Sequence, residues 1–259
     1  MSNLNDGATN PSFVNHNPST CPFCKEDKPG NAKNDLVNSS GTLRTNTRAG
    51  DVLGLAEPIA NPKWVITYTH PQTQVSDKSP IRSNPHHCIP GNASLKGHPI
   101  LDFMEASKKV NADVGYDINK QENGVWLPTI PEHFYYKAAG VTIRWGQLSK
   151  QYPHEQFTMA EAAMYQAERQ FHDAHPEYSA EVKKQLDSIH LMIGAGQVMC
   201  PEASGKPKPE PPYSVIGMLD GLSQEMAEML EGKPDTWVFP YFTSRHAKAL
   251  QEKLAKAAP

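Results

Sequence analysis

The sequence predicts an α+β chain that is mainly helical and rich in loops. Three observations lead there. Helical periodicity is strongest in the second half, where Tyr178, Val182, Leu186 and Ile189 recur at helical spacing and form one apolar stripe. Short β-branched and aromatic runs, WVITYTH at 64–70 and GVWLPT at 124–129, read as strands. The 17 glycines, 23 prolines and 38% hydrophobic content imply long irregular connections between modest elements.

Taken in order, residues 1 to about 50 are rich in Asn, Ser, Thr, Gly and Pro without apolar periodicity. They predict an extended, partly disordered lead, interrupted by the knuckle-like CPFC at 21–24. WVITYTH predicts the first strand. PIRSNPHHCI (80–89) is short and turn-bounded, closes at Pro90-Gly91 and reads as extended. LKGHPILDFMEASKKV (95–110) carries apolar Leu95, Ile100, Leu101, Phe103, Met104 and Val110, which predicts a short helix. In ENGVWLPT the alternation puts Val125 and Leu127 on one face and Trp126 on the other. FTMAEAAMYQAERQF predicts a helix opened by a capping box, Thr158 with Glu161. HPEYSAEVKKQLDSIHLMI predicts the next helix, with Pro176 in its first turn. PEASGKPKPEPPY (201–213) reads as an extended connector, followed by a helix around 215–231 and a Lys- and Ala-rich helical tail. The chain divides into a polar lead at 1–60, a core at 61–195, and a connector with helical extension at 196–259.

Composition narrows the function classes. At 259 residues the chain can bury a real core, and a formal net charge of −3 announces no whole-chain basic field for nucleic acid. A local groove needs no such field. No apolar run is long enough to cross a membrane, so no membrane partner is expected. The polar start MSNLNDGATNPSFVNHNPST lacks a secretory pattern, so any export is expected to proceed without a signal peptide. Four scattered cysteines, Cys21, Cys24, Cys88 and Cys200, do not form a disulfide framework and fit a reduced, cytosolic folding environment.

The chemistry-bearing residues are His86-His87, Asn123-Gly124, and His172 with His175. Hydrolysis of a phosphodiester needs a base for water and positive charge for the transition state. Neutral imidazole suits the base and also binds divalent transition metals. In an extended segment His86 and His87 point to opposite faces. One can then hold a metal while the other addresses substrate. His172 and His175, three apart at a helix entrance, can share one side. Each has an ordinary alternative: surface histidines in loops, a common Asn-Gly turn, a helix-start residue. Eleven histidines make chance clusters easy.

The ordered triple SNPHHCIPGNASL, GYDINKQENGVWLP and FHDAHPEYSAEVKKQLDSI resembles the AHH group of nucleases in the HNH/endonuclease VII superfamily, over roughly residues 75–195. Pro85 stands where the name-giving alanine would be. The resemblance implies a ββα-metal nuclease core in which two strands and a helix converge on one divalent cation (Mg, Mn, Ni or Zn). It assigns the metal to His86 and the attacking water to His87, and makes Asn123 structural or base-polarising. His172 and His175 become metal ligands or phosphate contacts; their spacing of three rather than four leaves open which is the ligand. His133 is a weaker competitor, and Asp173 a neighbour able to orient an imidazole. The substrate implied is nucleic acid, DNA before RNA.

Cys21 and Cys24 have half the spacing of a structural zinc site, and Cys200 can supply a third ligand, with Cys88 as the alternative. The tail, PPYSVIGMLDGLSQEM followed by GKPDTWVFPYFTSRHA, resembles those accompanying AHH domains in antibacterial effectors linked to type VI secretion. That likeness implies a toxin made in the bacterial cytoplasm, exported without a signal peptide to act in the target-cell cytoplasm. Its partners would be a delivery protein and a cognate immunity protein. Arg144, Lys150, Arg169, Lys183, Lys184 and Arg245 are potential phosphate contacts. Two other readings stay open: a zinc-stabilised adaptor without catalysis, and a hydrolase using Cys88 as nucleophile.

Overall fold

The computed structural model describes residues 16–24, 33–49, 65–69, 74, 76–136 and 140–257. The expectation for the extreme N-terminus therefore lies outside the described residues. Within them the architecture is α+β: six α-helices and three antiparallel strand pairs.

Its centre is one ribbon. β3 (Arg82–His87) and β4 (Gly124–Thr129) run antiparallel, with Pro85 opposite Trp126, His86 opposite Val125 and His87 opposite Gly124. A two-stranded ribbon tolerates Pro85 and Pro128 because each strand keeps a free edge where a missing N–H costs nothing. The remaining pairs are β1 (Val65–Thr69) with β2 (Ser76–Pro80), and β5 (His133–Tyr136) with β6 (Val141–Arg144). On β4 the expected two-faced alternation is buried on both sides: Val125 and Leu127 enter one core, while Trp126 is also covered.

The largest core packs the ribbon's end against α4 (Pro176–Met199) and α5 (Val215–Leu230). α4 begins with Pro176 in its first turn and buries the predicted stripe of Tyr178, Val182, Leu186 and Ile189. Each such side chain contributes about 1.5–3 kcal/mol by leaving water. Val215, Leu219, Leu222 and Met226 of α5 face them. A second core gathers Ile81, Ile130 and Phe171 with Trp145 of α2 (Trp145–Gln151). Met159, Ala160, Ala163 and Met164 of α3 (Pro153–Ala167) and Ala247 and Leu250 of α6 (Arg245–Ala257) complete it.

Three local expectations differ from the structure. α3 starts at Pro153, five residues before the supposed cap, and Thr158 lies inside it with its hydroxyl donating to the His154 carbonyl at 3.0 Å. Proline at the first helical position and Gln156 Nε2 donating to the Trp145 carbonyl at 2.9 Å fix the earlier start. Residues 95–110 form no α-helix: Leu95 ends a π-helical turn begun at Gly91, Gly97 adopts a positive φ of 74° that interrupts helical continuation, and a 3₁₀ turn at Pro99–Phe103 follows. Conversely, the polar lead contains α1 (Ser40–Ala49), whose first turn is capped by Ser39 Oγ accepting from Thr42 N–H at 3.1 Å.

α1 is seated by close approach. Leu43 is fully buried, and a Cβ on Gly124 would lie 2.1 Å from Thr47 Cγ2 and 2.9 Å from Leu43 Cδ1. The helix therefore rests directly on the first residue of β4, on the segment that bears the histidine pair's partner strand.

Candidate active site

β3, β4 and α4 converge at the three histidines His86, His172 and His175, whose ligand-capable nitrogens all lie within 4.8 Å of one another. Ring centroids are 5.0 Å apart for His86–His172, 4.8 Å for His86–His175 and 5.5 Å for His172–His175. His86 is only 3% exposed, and its Nε2 has no hydrogen-bond partner. A buried, unpartnered ring nitrogen amid two other imidazoles fits a group that receives a cation. Three neutral nitrogen donors, with no fourth protein ligand among the described residues, is also the pattern of an open, catalytic site.

Electrostatics keep these rings neutral. Burial, then crowding by His172, His175 and His87, holds His86 well below the ordinary histidine range. Burial, with His175 beside it, pushes His172 down to about 4, against an opposing pull from Asp173. Burial also lowers His175. Each therefore offers a lone pair at neutral pH.

Each histidine has its own support. His172 N–H donates to the Pro128 carbonyl at 2.8 Å, tying the segment before α4 to β4. Its neighbours are held by the C-terminal extension: Gln170 Nε2 donates to the Tyr241 carbonyl at 2.9 Å, and Asp173 N–H to the Thr243 carbonyl at 3.1 Å. His175 stands immediately before α4 without a side-chain cap bond, and Ser179 Oγ lies 3.5 Å from its Nδ1. Tyr178 packs its ring 5.1 Å from His86 and donates its hydroxyl to the Cys88 carbonyl at 2.7 Å. The sequence marks Tyr178 only as part of the apolar stripe, yet it also anchors the end of β3.

His87 projects from the other face of β3, and Asn119 holds it. Asn119 Oδ1 accepts from Ser39 N–H at 2.7 Å, and Asn119 Nδ2 donates to the Val37 carbonyl at 2.9 Å, so the amide's orientation is fixed. His87 Nε2 lies 3.0 Å from that same Oδ1 and must donate to it. The proton thus sits on Nε2, which leaves Nδ1 with the lone pair. Burial lowers the His87 pKa while Asn119 and Asp117 oppose the shift. Asn119 is a residue sequence reasoning passed over, although it closes the GYDIN element.

Asn123 is fully buried and works as a rivet. Its Oδ1 accepts from Ile89 N–H at 2.7 Å and from Ser223 Oγ at 2.9 Å, while Nδ2 donates to the carbonyls of Ile118 at 2.8 Å and Ile89 at 3.1 Å. These bonds lock the turn after β3 to the start of β4 and to α5. They involve no imidazole.

The remaining candidates are placed as follows. Asp173 turns its Oδ1 to Ala174 N–H at 2.8 Å, and its Oδ2 lies 4.0 Å from His246 Nε2. It acts on His172 and His175 through its charge. The side chain of His133, at the head of β5, lies outside the described residues. Arg169 is committed to Glu231 and to the Trp126 carbonyl, Arg245 to Gln156 Oε1 at 2.6 Å, and Lys184 to Glu181 at 2.5 Å. Cys88 is fully buried and burial pushes its thiol pKa up, which removes it as a nucleophile. Cys21, Cys24 and Cys200 do meet, at the opposite end of α4 from His175, and His16 joins them.

No helix among the described residues is long and apolar enough to cross a membrane. Neither the curated proteins nor the solved structures hold a match to this chain. Residues 74–199 match the AHH family, a nuclease family of the HNH/ENDO VII superfamily with conserved AHH, and they span β3, β4 and all of α4 with every histidine of the site. Residues 74–199 of the chain are thus a segment that matches the AHH nuclease family.

Proposed function

We propose that the protein is a metal-dependent endonuclease acting on DNA, deployed as an antibacterial toxin. The observation that carries the catalytic part is the orphaned Nε2 of buried His86, facing His172 and His175 where two strands and a helix meet. His86, His172 and His175 would hold a divalent ion, which supplies positive charge against the scissile phosphate and leaving oxygen. The amino end of α4 adds a favourable place for an anionic phosphate. His87, with its proton held on Nε2 by Asn119, takes a proton from the attacking water at Nδ1. Phosphorus–oxygen bond formation by that water is matched by departure of the 3′ oxygen.

The toxin reading rests on the likeness of the tail to those of type VI effectors. It entails export without a signal peptide, a delivery protein, an immunity protein in the producing cell, and action in the target-cell cytoplasm.

The test is cleavage of plasmid DNA and of RNA with Mg²⁺, Mn²⁺, Ni²⁺ or Zn²⁺. His87→Ala should lower cleavage about 10²–10⁴-fold while the protein still binds the metal. His86→Ala should lose both. If both variants cut like wild type, neither histidine carries the reaction; if wild type cuts neither nucleic acid with any of these ions, the chain acts through a zinc-stabilised binding surface instead.

A further inference from the structure

A second cluster lies outside the nuclease site. His16, Cys21, Cys24 and Cys200 each offer one ligand atom, and all four atoms lie within 4.8 Å of one another. We infer that these residues form a closed structural zinc site that pins the N-terminal lead to the carboxyl end of α4. This inference does not depend on the nuclease reading.

Two edges of the cluster match those of a tetrahedron with an ion at its centre. Zinc bonds of ~2.3 Å to sulfur and ~2.0–2.1 Å to nitrogen imply edges of about 3.8 Å between sulfurs and about 3.6 Å between sulfur and nitrogen. Cys24 Sγ lies 3.6 Å from Cys200 Sγ and 3.5 Å from His16 Nε2. A disulfide would need a sulfur separation near 2.0 Å, and all four cysteines are free. Three thiols and an imidazole also complete a coordination shell, unlike the three histidines of the other cluster.

The scaffold around the cluster is built independently of any ion. Cys24 N–H donates to the Cys21 carbonyl at 3.1 Å, and Cys21 N–H to the Asn17 carbonyl at 3.0 Å, so the knuckle is a pair of tight turns. Across from it, Ser204 N–H donates to the Cys200 carbonyl at 2.7 Å just beyond the end of α4. Pro22 packs against Gly196, where a Cβ would lie 3.0 Å from its ring. Ser214 Oγ donates to the Pro22 carbonyl at 3.1 Å, and Phe23 meets Phe103 edge-on at 6.4 Å between centroids. Cys24 and Cys200 are 176 positions apart, so an ion there adds a cross-link to the few contacts that seat the lead.

Metal analysis of the full-length protein, purified without added metal, should find one zinc per chain retained in His86→Ala and lost in the double variant Cys21→Ser, Cys200→Ser. Cobalt exchanged into that site should give strong tetrahedral visible bands with sulfur-to-cobalt charge transfer in the near ultraviolet. His86→Ala should leave those bands unchanged. His16→Ala should shift them and weaken cobalt retention by about 10-fold or more. The proposal is overturned if wild type shows no thiolate-ligated metal, if the double cysteine variant keeps it, or if His16→Ala leaves the spectrum and affinity unaltered. Failure of plasmid cleavage would not bear on any of these readouts.

Discussion

At the scale of single residues, the two neighbouring histidines of β3 differ because an extended backbone sends them to opposite faces. His86 enters a pocket of imidazoles with a bare nitrogen, whereas His87 meets a side chain whose own partners dictate its proton. That division was legible in the sequence through strand alternation. Asn119 was not, because its role depends on Val37 and Ser39, eighty residues earlier in the chain. His16 escaped for the same reason: nothing in HNPSTCPFC reveals that Cys200 comes to meet it. Asn119→Leu should keep metal affinity and KM near wild type while lowering kcat by about 10- to 100-fold, as His87 loses its fixed tautomer. Asn119→Asp, which retains an acceptor for Nε2–H, should recover part of that loss. Equal kcat in all three proteins would show that the tautomer needs no such support.

Elements show where periodicity suffices and where contacts override it. α4 and α5 were readable because their apolar spacing, and for α4 its first-turn proline, agree with their burial. α3 was displaced by Pro153, a stronger start signal than the Thr158 box, and the 95–110 segment was broken by backbone geometry at Gly97. α1 was missed since its mean composition is polar; among its described side chains Leu43 and Thr47 are the buried ones. Its attachment is sensitive to one atom. Gly124→Ala should push α1 off β4 and destabilise the fold by about 1–3 kcal/mol, read as a lowered urea midpoint. Loss of α1 contact also frees the Ser39 end of the Asn119 lock, so kcat should fall with it. An alanine variant as stable as wild type would mean that α1 is not seated on the ribbon.

For the whole molecule, the second core carries a titratable strut. His246 is buried against Trp145, Phe171 and Phe157, with Asp173 4.0 Å from its Nε2. Burial first, then Arg245, pushes its pKa down to about 4, while Asp173 pulls the other way. The unfolded chain takes up this proton near pH 6.5 and the folded chain only near 4. Between those values the unfolded form binds more protons, so stability rises with pH. The contribution is whole above about pH 6.5 and is lost as pH falls toward 4, by roughly 3 kcal/mol at most. Urea titrations across that window should show a shallower pH slope for His246→Leu than for wild type; an identical slope would remove His246 as the source. The sequence could not announce this group, because its environment comes from α2, α3 and the segment bearing His172.

The manner in which the segment bearing His172 is held has a practical meaning. Tyr241 and Thr243 grip it from downstream, and α1 braces Gly124 from upstream, yet both supports fall outside residues 74–199. The family segment in this chain is thus no portable cassette. Grafted alone into another protein, it would carry the catalytic vocabulary without the frame that keeps its histidines in register.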